Sequence, residues 1–429
     1  MTAREIILKA LYEIDHSGMY TNVALKNAIS NPNLLEIDRG FATEVILGVQ
    51  KNKSALDYII MKFSKVKIKK MSPWIKNILR MGAYQMYYMD RVPHSAACNE
   101  SVKLAKRYGH SASSGFVNGV LRSVSRNIEN IEFPSQDNIL EYLEVVYSYP
   151  MWIVEKIVDQ YGADEGEVIL AEGNVSHPNT IRVNSLKTTA KELLEILKDE
   201  GIFCTLHDEI PNCLIIDGAV NIENSPAYAK GLYTLQNTSS MLASVVLKPQ
   251  SGETVIDVCS APGGKTTHIA ELMKNKGKII AFDVHSHKIR LVENAARRLG
   301  IDIIECLENN SENILEKYIG VADKVLADVP CSGLGVIHKK PDIKWRRKPE
   351  DIENLVAIQS RILEASSKYL KVGGEMVYST CTILKEENQE QVEKFLENNS
   401  NFEKIEEHMI LTHKNGGSGF YICKLKRNE

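Results

Sequence analysis

From about residue 236 onward, short apolar runs alternate with stretches of helical period, and few folds accept that alternation. The runs Thr254–Val258, Lys278–Asp283, Lys324–Asp328 and Glu375–Thr380 are too short for helices and are rich in Val, Ile and aromatic residues. Between them, Thr266–Met273, Lys288–Leu299 and Ile352–Tyr369 carry apolar residues at helical spacing. Strands alternating with helices predict a parallel, doubly wound sheet. Such sheets bind ligands in the crevice beyond the carboxyl ends of their strands, and the chemically informative residues of this chain follow those ends.

The remainder reads differently. Residues 1–130 are expected to be all-helical: Ile6, Ile7, Ala10, Leu11 and Ile14 recur at helical spacing, as do Phe41, Val45, Ile46 and Val49. Ser72-Pro73 marks a helix start and Gly109 closes a helix over Ala96–Tyr108. Pro134, Ser135 and Gln136 read as a linker. Residues 138–235 then carry a helical stretch, Met151–Glu172, and a small α/β unit with strands Thr180–Asn184 and Cys213–Ile216 and a helix Lys191–Glu200 ended by Gly201. Residues 236–429 form the doubly wound domain.

Composition narrows the function classes. With 44% hydrophobic and 25% charged residues the chain is an ordinary folded protein. Its net charge of -3 means that any nucleic-acid binding rests on local clusters. The N-terminus lacks the apolar core of a signal peptide and no run approaches the ~18 apolar residues of a membrane span, so a cytoplasmic protein is expected. The eight cysteines are scattered, and the nearest pair, Cys204 and Cys213, is not a CxxC. Neither a zinc site nor a disulfide framework is expected. His268, His285, His287 and His338 show no ligand spacing, so no metal is expected.

The segment Asp257–Thr266, DVCSAPGGKT, follows the first strand of the doubly wound domain. GGKT invites comparison with a phosphate loop, but that motif needs a glycine where Cys259 stands. The other reading is a Rossmann-like cofactor turn: small residues admit a ligand close to the backbone, helix N-terminal amides hold an anion, and Asp283 at the next strand end suits ribose hydroxyls.

Two further strand ends each carry a cysteine, Asp328-Val-Pro-Cys331 and Ser379-Thr-Cys381. A single cysteine is usually a small buried hydrophobe. Two on one ligand-binding rim, one of them beside Asp328, fit a specific chemistry. Carbon 5 of cytosine is a poor nucleophile until a thiolate adds to carbon 6 and makes the ring enamine-like. An acid near N3 neutralises the charge that develops, and a base must then remove the proton from carbon 5. One Asp and two Cys suit those tasks, and the residues alone leave open which sulfur attacks.

At these positions the chain resembles the RNA 5-methylcytosine methyltransferases of the NOL1/NOP2/Sun group, in particular its RsmB-type branch. The motifs are DVCSAPGGKTTHI, AFDVHSHKIRLVENAARRLG, ADVPCSGLGVIHKKPDIKW, GGEMVYSTCTILKEEN and GFYICKLKR. The span from TIRVNSLK to YTLQNTSSM resembles the family's small domain, and RGFATEVILGVQ, ILRMGAYQMYYMDRVPHSAACNESVKLAKRYG and GFVNGVLR resemble a NusB-type RNA-binding helical domain. The resemblance implies a Rossmann-like class I fold using S-adenosyl-L-methionine, acting on a cytosine of 16S ribosomal RNA, as a monomer. It implies Cys381 as nucleophile, Cys331 as the cysteine that resolves the adduct, and Asp328 as the acid touching both cytosine and cofactor. It places the cofactor's methionine portion on Cys259, Ser260, Ala261, Pro262, Gly263, Gly264 and Lys265, and its ribose on Asp283. Departures are Ser260 and Val329 for the usual alanines, Asn237 where Asp is common, and Asn310 for the usual Asp near the adenine.

Two basic clusters remain. Val336–Lys348 holds six Lys/Arg, one acid and Trp345. It follows the Cys331 motif, so Lys339, Lys340, Lys344, Arg346 and Arg347 are expected to contact phosphates and Trp345 to stack on a base. The plain alternative is a solvated loop with Trp345 as a packing anchor. Lys51–Arg80 has nine Lys/Arg and one acid and reads either as a solvated face or as an RNA stripe. The rival functions are an RNA-binding or antitermination-type protein that keeps the fold without catalysis, and a methyltransferase acting on another RNA such as tRNA.

Overall fold

The computed structural model describes residues 1–218 and 222–429. Its packing divides the chain into two compact units, residues 1–175 with 337–346 and residues 176–336 with 347–429. This division places the helices after residue 138, and a short piece of the motif-rich region, with the N-terminal helices.

The first unit is helical. Its helices include Ala3–His16, Glu36–Lys51, Lys53–Phe63, Pro73–Tyr87, His94–Tyr108 and Ser113–Asn127. The Ser72-Pro73 start holds: the Ser72 side chain accepts from the Ile75 amide, and proline sits where an amide would lack a partner. Helix Pro73–Tyr87 is buried along most of its length, and its Ile78 and Leu79 belong to the same apolar core as Ile7, Leu11, Ile46 and Leu121. The stretch Met151–Glu172 is two helices, because Gly162 adopts φ +82 between Tyr161 and Ala163.

Two members of the basic run Lys51–Arg80 serve this core. Arg80 bonds Asp57 at 2.7 and 2.6 Å and Asp15 at 2.8 Å, and Lys53 bonds Asp15 at 2.7 Å. Buried cations need such partners, since stripping one away costs about 3–5 kcal/mol. Lys62, Lys65, Lys67, Lys69 and Lys70 remain exposed.

In the second unit, β1 (Thr180–Val183), β2 (Cys204–Leu206), β3 (Cys213–Ile216) and β4 (Tyr233–Leu235) form an antiparallel sheet in the order β2-β3-β1-β4. Helix Ala190–Asp199 starts in a capping box between Thr189 and Glu192, and its Leu193 and Leu197 join the core of that sheet. The larger sheet contains β5 (Thr254–Asp257), β6 (Lys278–Asp283), β7 (Ile304–Glu308), β8 (Ala322–Asp328), β9 (Leu370–Thr380), β10 (Phe402–Ile410) and β11 (Phe420–Arg427). Its order is β10-β11-β9-β8-β5-β6-β7. Strands β5 to β9 pair in parallel, as expected; β11 lies antiparallel to β9 and β10. The chain runs outward one way through β6 and β7 and the other way through β8 and β9. The switch point is therefore between β5 and β8, where a doubly wound sheet opens its ligand crevice.

Arg182 joins the small sheet to helix Gly264–Leu272. Only 1% exposed, it bonds both oxygens of Glu271 at 2.9 Å, Thr267 Oγ1 at 2.9 Å and the Gly264 carbonyl at 2.7 Å, with Gln236 as a further partner. A bidentate Arg–carboxylate pair fixes direction as well as distance.

Candidate active site

The segment after β5 turns back on itself before helix Gly264–Leu272. Ser260 donates through its amide and hydroxyl to the Phe282 carbonyl at 2.8 and 2.9 Å, which pins the turn to the end of β6. Gly263 sits at φ +102, and a Cβ there would stand 3.1 Å from the Val292 Cα, so a side chain would meet both strain and backbone. Asp283 closes β6, accepting from the Ala261 amide and the His285 amide at 3.3 Å each. The chemistry of this set suits a nucleoside sulfonium amino acid: the glycines would leave room beside the backbone, first-turn amides could hold a carboxylate, and Asp283 could accept from ribose hydroxyls.

Asn310 lies just beyond the end of β7. It is exposed, and its carboxamide accepts from the Glu312 amide at 3.2 Å and donates to Glu312 Oε1 at 3.3 Å. The polar residue that the end of β7 brings beside Asp283 is Asn309, half-buried, whose amide donates to the Asp283 carbonyl at 3.0 Å. Asn237 caps helix Thr238–Leu247 by accepting from the Ser239 amide at 2.9 Å, a task that Asn and Asp perform equally well.

Strands β8 and β9 end in register, Asp328 beside Ser379. The Asp328 carboxylate takes the Lys265 ammonium at 2.7 Å and the Ser379 hydroxyl at 2.9 Å, and it keeps 27% exposure towards the rim. Just beyond, Cys331 and Cys381 lie with their sulfurs 3.1 Å apart, and the Cys381 amide donates to the Cys331 sulfur at 3.2 Å. Both are partly exposed. The hydrogen bond to Cys381 pushes the Cys331 thiol well above its ordinary range, helped by burial and the negative charge of Glu387. Burial pushes Cys259 well up too, and the carboxylates of Asp257, Asp328 and Asp283 add to it.

The polar frame behind the two cysteines was not anticipated. Glu387 is fully buried and accepts from the Ser332 amide at 2.8 Å, the Ser332 hydroxyl at 2.5 Å and Gln359 Nε2 at 2.9 Å. Its neighbour Asn388 accepts from Thr380 Oγ1 at 2.5 Å and donates to the Thr382 carbonyl at 3.1 Å. Both stand in the KEEN segment noted above, whose acidic and amide character carries no sign of burial.

The basic run after Cys331 divides. Lys339 and Lys340 are exposed. Lys344 is not available to RNA: at 0% exposure its ammonium donates to the carbonyls of Lys51 (3.0 Å) and Ser148 (2.9 Å) and to Asn174 Oδ1 (2.9 Å). Trp345 donates to the Gln50 carbonyl at 2.7 Å, the packing-anchor reading, and Arg346 donates to the Gly18 carbonyl at 2.5 Å while lying 4.0 Å from the Tyr20 ring centre. Arg347 donates to the carbonyls of Ser332 and Cys331 at 3.0 Å each.

Comparison with known proteins agrees along the whole chain. The profile of 16S rRNA methyltransferase RsmB/F matches residues 244–426, that of the NusB family residues 1–126, and that of the ferredoxin-like domain of RsmF/B-like methyltransferases residues 149–223. The probable ribosomal RNA small subunit methyltransferase B of Bacillus subtilis (strain 168) is 37% identical over 99% of this chain and 99% of its own. This chain belongs to the RsmB/F family of 16S rRNA methyltransferases. A second relative, from Synechocystis sp., bears the same description at 34% identity over the full length of both chains. The crystal structure of PH0851 matches with a TM-score of 0.84 and 29% identity over 98% of each chain. A methyltransferase homologue from Pyrococcus horikoshii matches with a TM-score of 0.61 and 28% identity over 68% of this chain and 99% of its own. The protein is accordingly a methyltransferase with a NusB-like helical region, a ferredoxin-like small domain and a Rossmann-like catalytic sheet.

Proposed function

We propose that this RsmB/F member transfers a methyl group from S-adenosyl-L-methionine to carbon 5 of a cytosine in 16S ribosomal RNA through a covalent bond between Cys381 and carbon 6. The observation that carries this reading is the pair of sulfurs 3.1 Å apart beyond β8 and β9, on the rim that also holds Asp328. When bound, the cofactor supplies an electrophilic methyl on a sulfonium, which no side chain can provide.

Every other part belongs to the protein. In this reading Cys331 is the thiol that donates to the Cys381 sulfur 3.1 Å away, and Cys381 is the attacking sulfur. Cys381 adds to carbon 6, and the ring's electron pair moves towards N3. Asp328, with the Lys265 ammonium at 2.7 Å, shares a proton with N3 as that charge develops. Carbon 5 then attacks the methyl. Cys331 gives its proton to solvent water and its sulfur then takes the proton from carbon 5; the C6–S bond breaks, Cys381 leaves as thiolate, and N3 returns its proton to the Asp328–Lys265 pair. The target base must be swung out of its stack to reach this rim.

The test uses radiolabelled S-adenosylmethionine and unmodified ribosomal RNA. Cys381→Ala is expected to transfer no methyl and form no adduct, and Cys331→Ala to accumulate a denaturant-stable protein–RNA complex. The reverse pattern overturns the two roles, and no transfer to 16S RNA by the unmutated protein overturns the substrate.

A further inference from the structure

We propose that Glu387 and Asn388 are positioning residues that hold the two cysteine loops separately, Glu387 setting the place of Cys331 and Asn388 that of Cys381. This rests on the covalent mechanism proposed above and adds which group controls each half of it.

Consecutive in sequence, the two residues face different loops. The Glu387 carboxylate gathers the amide and hydroxyl of Ser332, the residue after Cys331. It also holds Gln359, whose Nε2 donates to the Pro330 carbonyl at 3.0 Å, the residue before Cys331. Cys331 is therefore held on both flanks by groups that converge on one carboxylate. Asn388 treats Cys381 in the same way, holding the Thr380 hydroxyl before it and the Thr382 carbonyl after it. The loops also meet directly, through the 2.7 Å contact of the Ser332 and Thr382 hydroxyls, the contacts of the two cysteines and the Gly335 amide on the Cys381 carbonyl. Glu387 and Asn388 are 0% exposed, so neither meets RNA, and their bonds are not diluted by water.

The geometry divides the effects. Displacing Cys331 leaves the nucleophile in place and impairs release; displacing Cys381 impairs attack. A shift of about 1 Å in a reacting group costs on the order of 100-fold in rate. Glu387→Gln is the conservative control. Its remaining oxygen can accept from the Ser332 amide and Gln359, while its new amide donates to the Ser332 hydroxyl, which turns its own proton to Thr382.

The full-length chain is mixed with transcribed 16S RNA and radiolabelled S-adenosylmethionine and quenched in detergent over time, so that adduct and released methylated RNA are counted separately. Glu387→Ala is expected to form adduct near the unmutated rate and release it about 10- to 100-fold more slowly. Glu387→Gln is expected to restore release. Asn388→Ala is expected to form adduct about 10- to 100-fold more slowly, with no build-up. Thermal unfolding and the dissociation constant for S-adenosylhomocysteine report whether each variant is folded. Should Glu387→Ala fail to fold, Ser332→Ala carries the same expectation. If Cys331→Ala accumulates adduct while neither Glu387→Ala nor Ser332→Ala does, the clamp is refuted and the mechanism stands. If Cys331→Ala itself accumulates none, the mechanism fails first. Equal slowing of both steps in Glu387→Ala and Asn388→Ala refutes the division.

Discussion

Lys344→Met removes an ammonium from the helical unit with little change of shape, and its consequence can be worked from three bonds. Lys344 Nζ meets the Lys51 carbonyl, the Ser148 carbonyl and Asn174 Oδ1, all within 3.0 Å, and lies 4.0 Å from the Tyr149 ring centre. Burial presses its pKa well below the ordinary value, and Lys51 and Lys53 press it further. Three acceptors nevertheless call for three protons, so the geometry favours the charged form, steadied by the aromatic face and by the C-terminal end of helix Glu36–Lys51. Each buried acceptor left alone costs about 1–3 kcal/mol. Relief from burying the ammonium offsets part of that, leaving a loss of about 3 kcal/mol. For a unit of this size that corresponds to a fall of about 6–12 °C in melting temperature. The assay is selective, because Trp74, Trp152 and Trp345, the three tryptophans of the chain, all belong to this unit. Indole fluorescence therefore follows its unfolding alone. Bound RNA should be held as tightly by Lys344→Met as by the unmutated chain at temperatures where both are folded. An unchanged melting temperature together with a weaker RNA complex would return Lys344 to the RNA-binding surface and refute the reasoning.

Other expectations concern the cofactor side. Asp283→Asn should weaken S-adenosylmethionine about 10- to 100-fold in equilibrium dialysis, the size of a lost charge-assisted hydrogen bond; unchanged affinity removes Asp283 from the site. Gly263→Ala places a side chain at φ +102 and 3.1 Å from the Val292 Cα, and should lower both cofactor affinity and melting temperature. An alanine variant that binds normally would show that the turn is not held as described. Burial pushes the Asp257 carboxyl from 3.8 up to about 7. Between those values the native state holds a proton that the unfolded chain has released. Stability should therefore fall as pH rises through that window, by at most about 4 kcal/mol, and stay low above it. Calorimetry of the second unit should show a flatter pH profile in Asp257→Asn, and an identical profile would remove Asp257 as the cause.

The strand ends were legible because their signals are local. Runs of β-branched residues bounded by small or charged ones gave Lys278–Asp283 and Cys213–Ile216 to the residue, and the other four runs within a few residues. Strands β2, β4, β7, β10 and β11 were not seen as strands. β10, FEKIEEHMI, has four charged residues among nine and owes its conformation to pairing with β11, interrupted only at Ile405. β11 was visible only as a motif, although it is buried between two neighbours.

The reactive groups and their supports differ in how sequence records them. Cys331, Cys381 and Asp328 stand out because their residue types and strand-end positions are uncommon together and the chemistry of cytosine asks for both sulfurs. Glu387, Asn388, Ser332 and Gln359 are ordinary polar residues, and their meaning comes wholly from burial, which converts a solvated surface group into an acceptor that must find donors. The same rule splits HKKPDIKWRRK. Its cations are equivalent in sequence, yet Lys339 and Lys340 face solvent, Lys344 satisfies buried carbonyls, and Arg347 steadies the peptide at Cys331. Charge pattern counts cations; which of them remain for phosphate is decided by the carbonyls that folding leaves without partners. We propose Lys339, Lys340 and Lys348 as the cations of this run that are left for phosphate: removing these three together should flatten the salt dependence of RNA binding by about three in log–log slope, where removing Lys344 should not alter it.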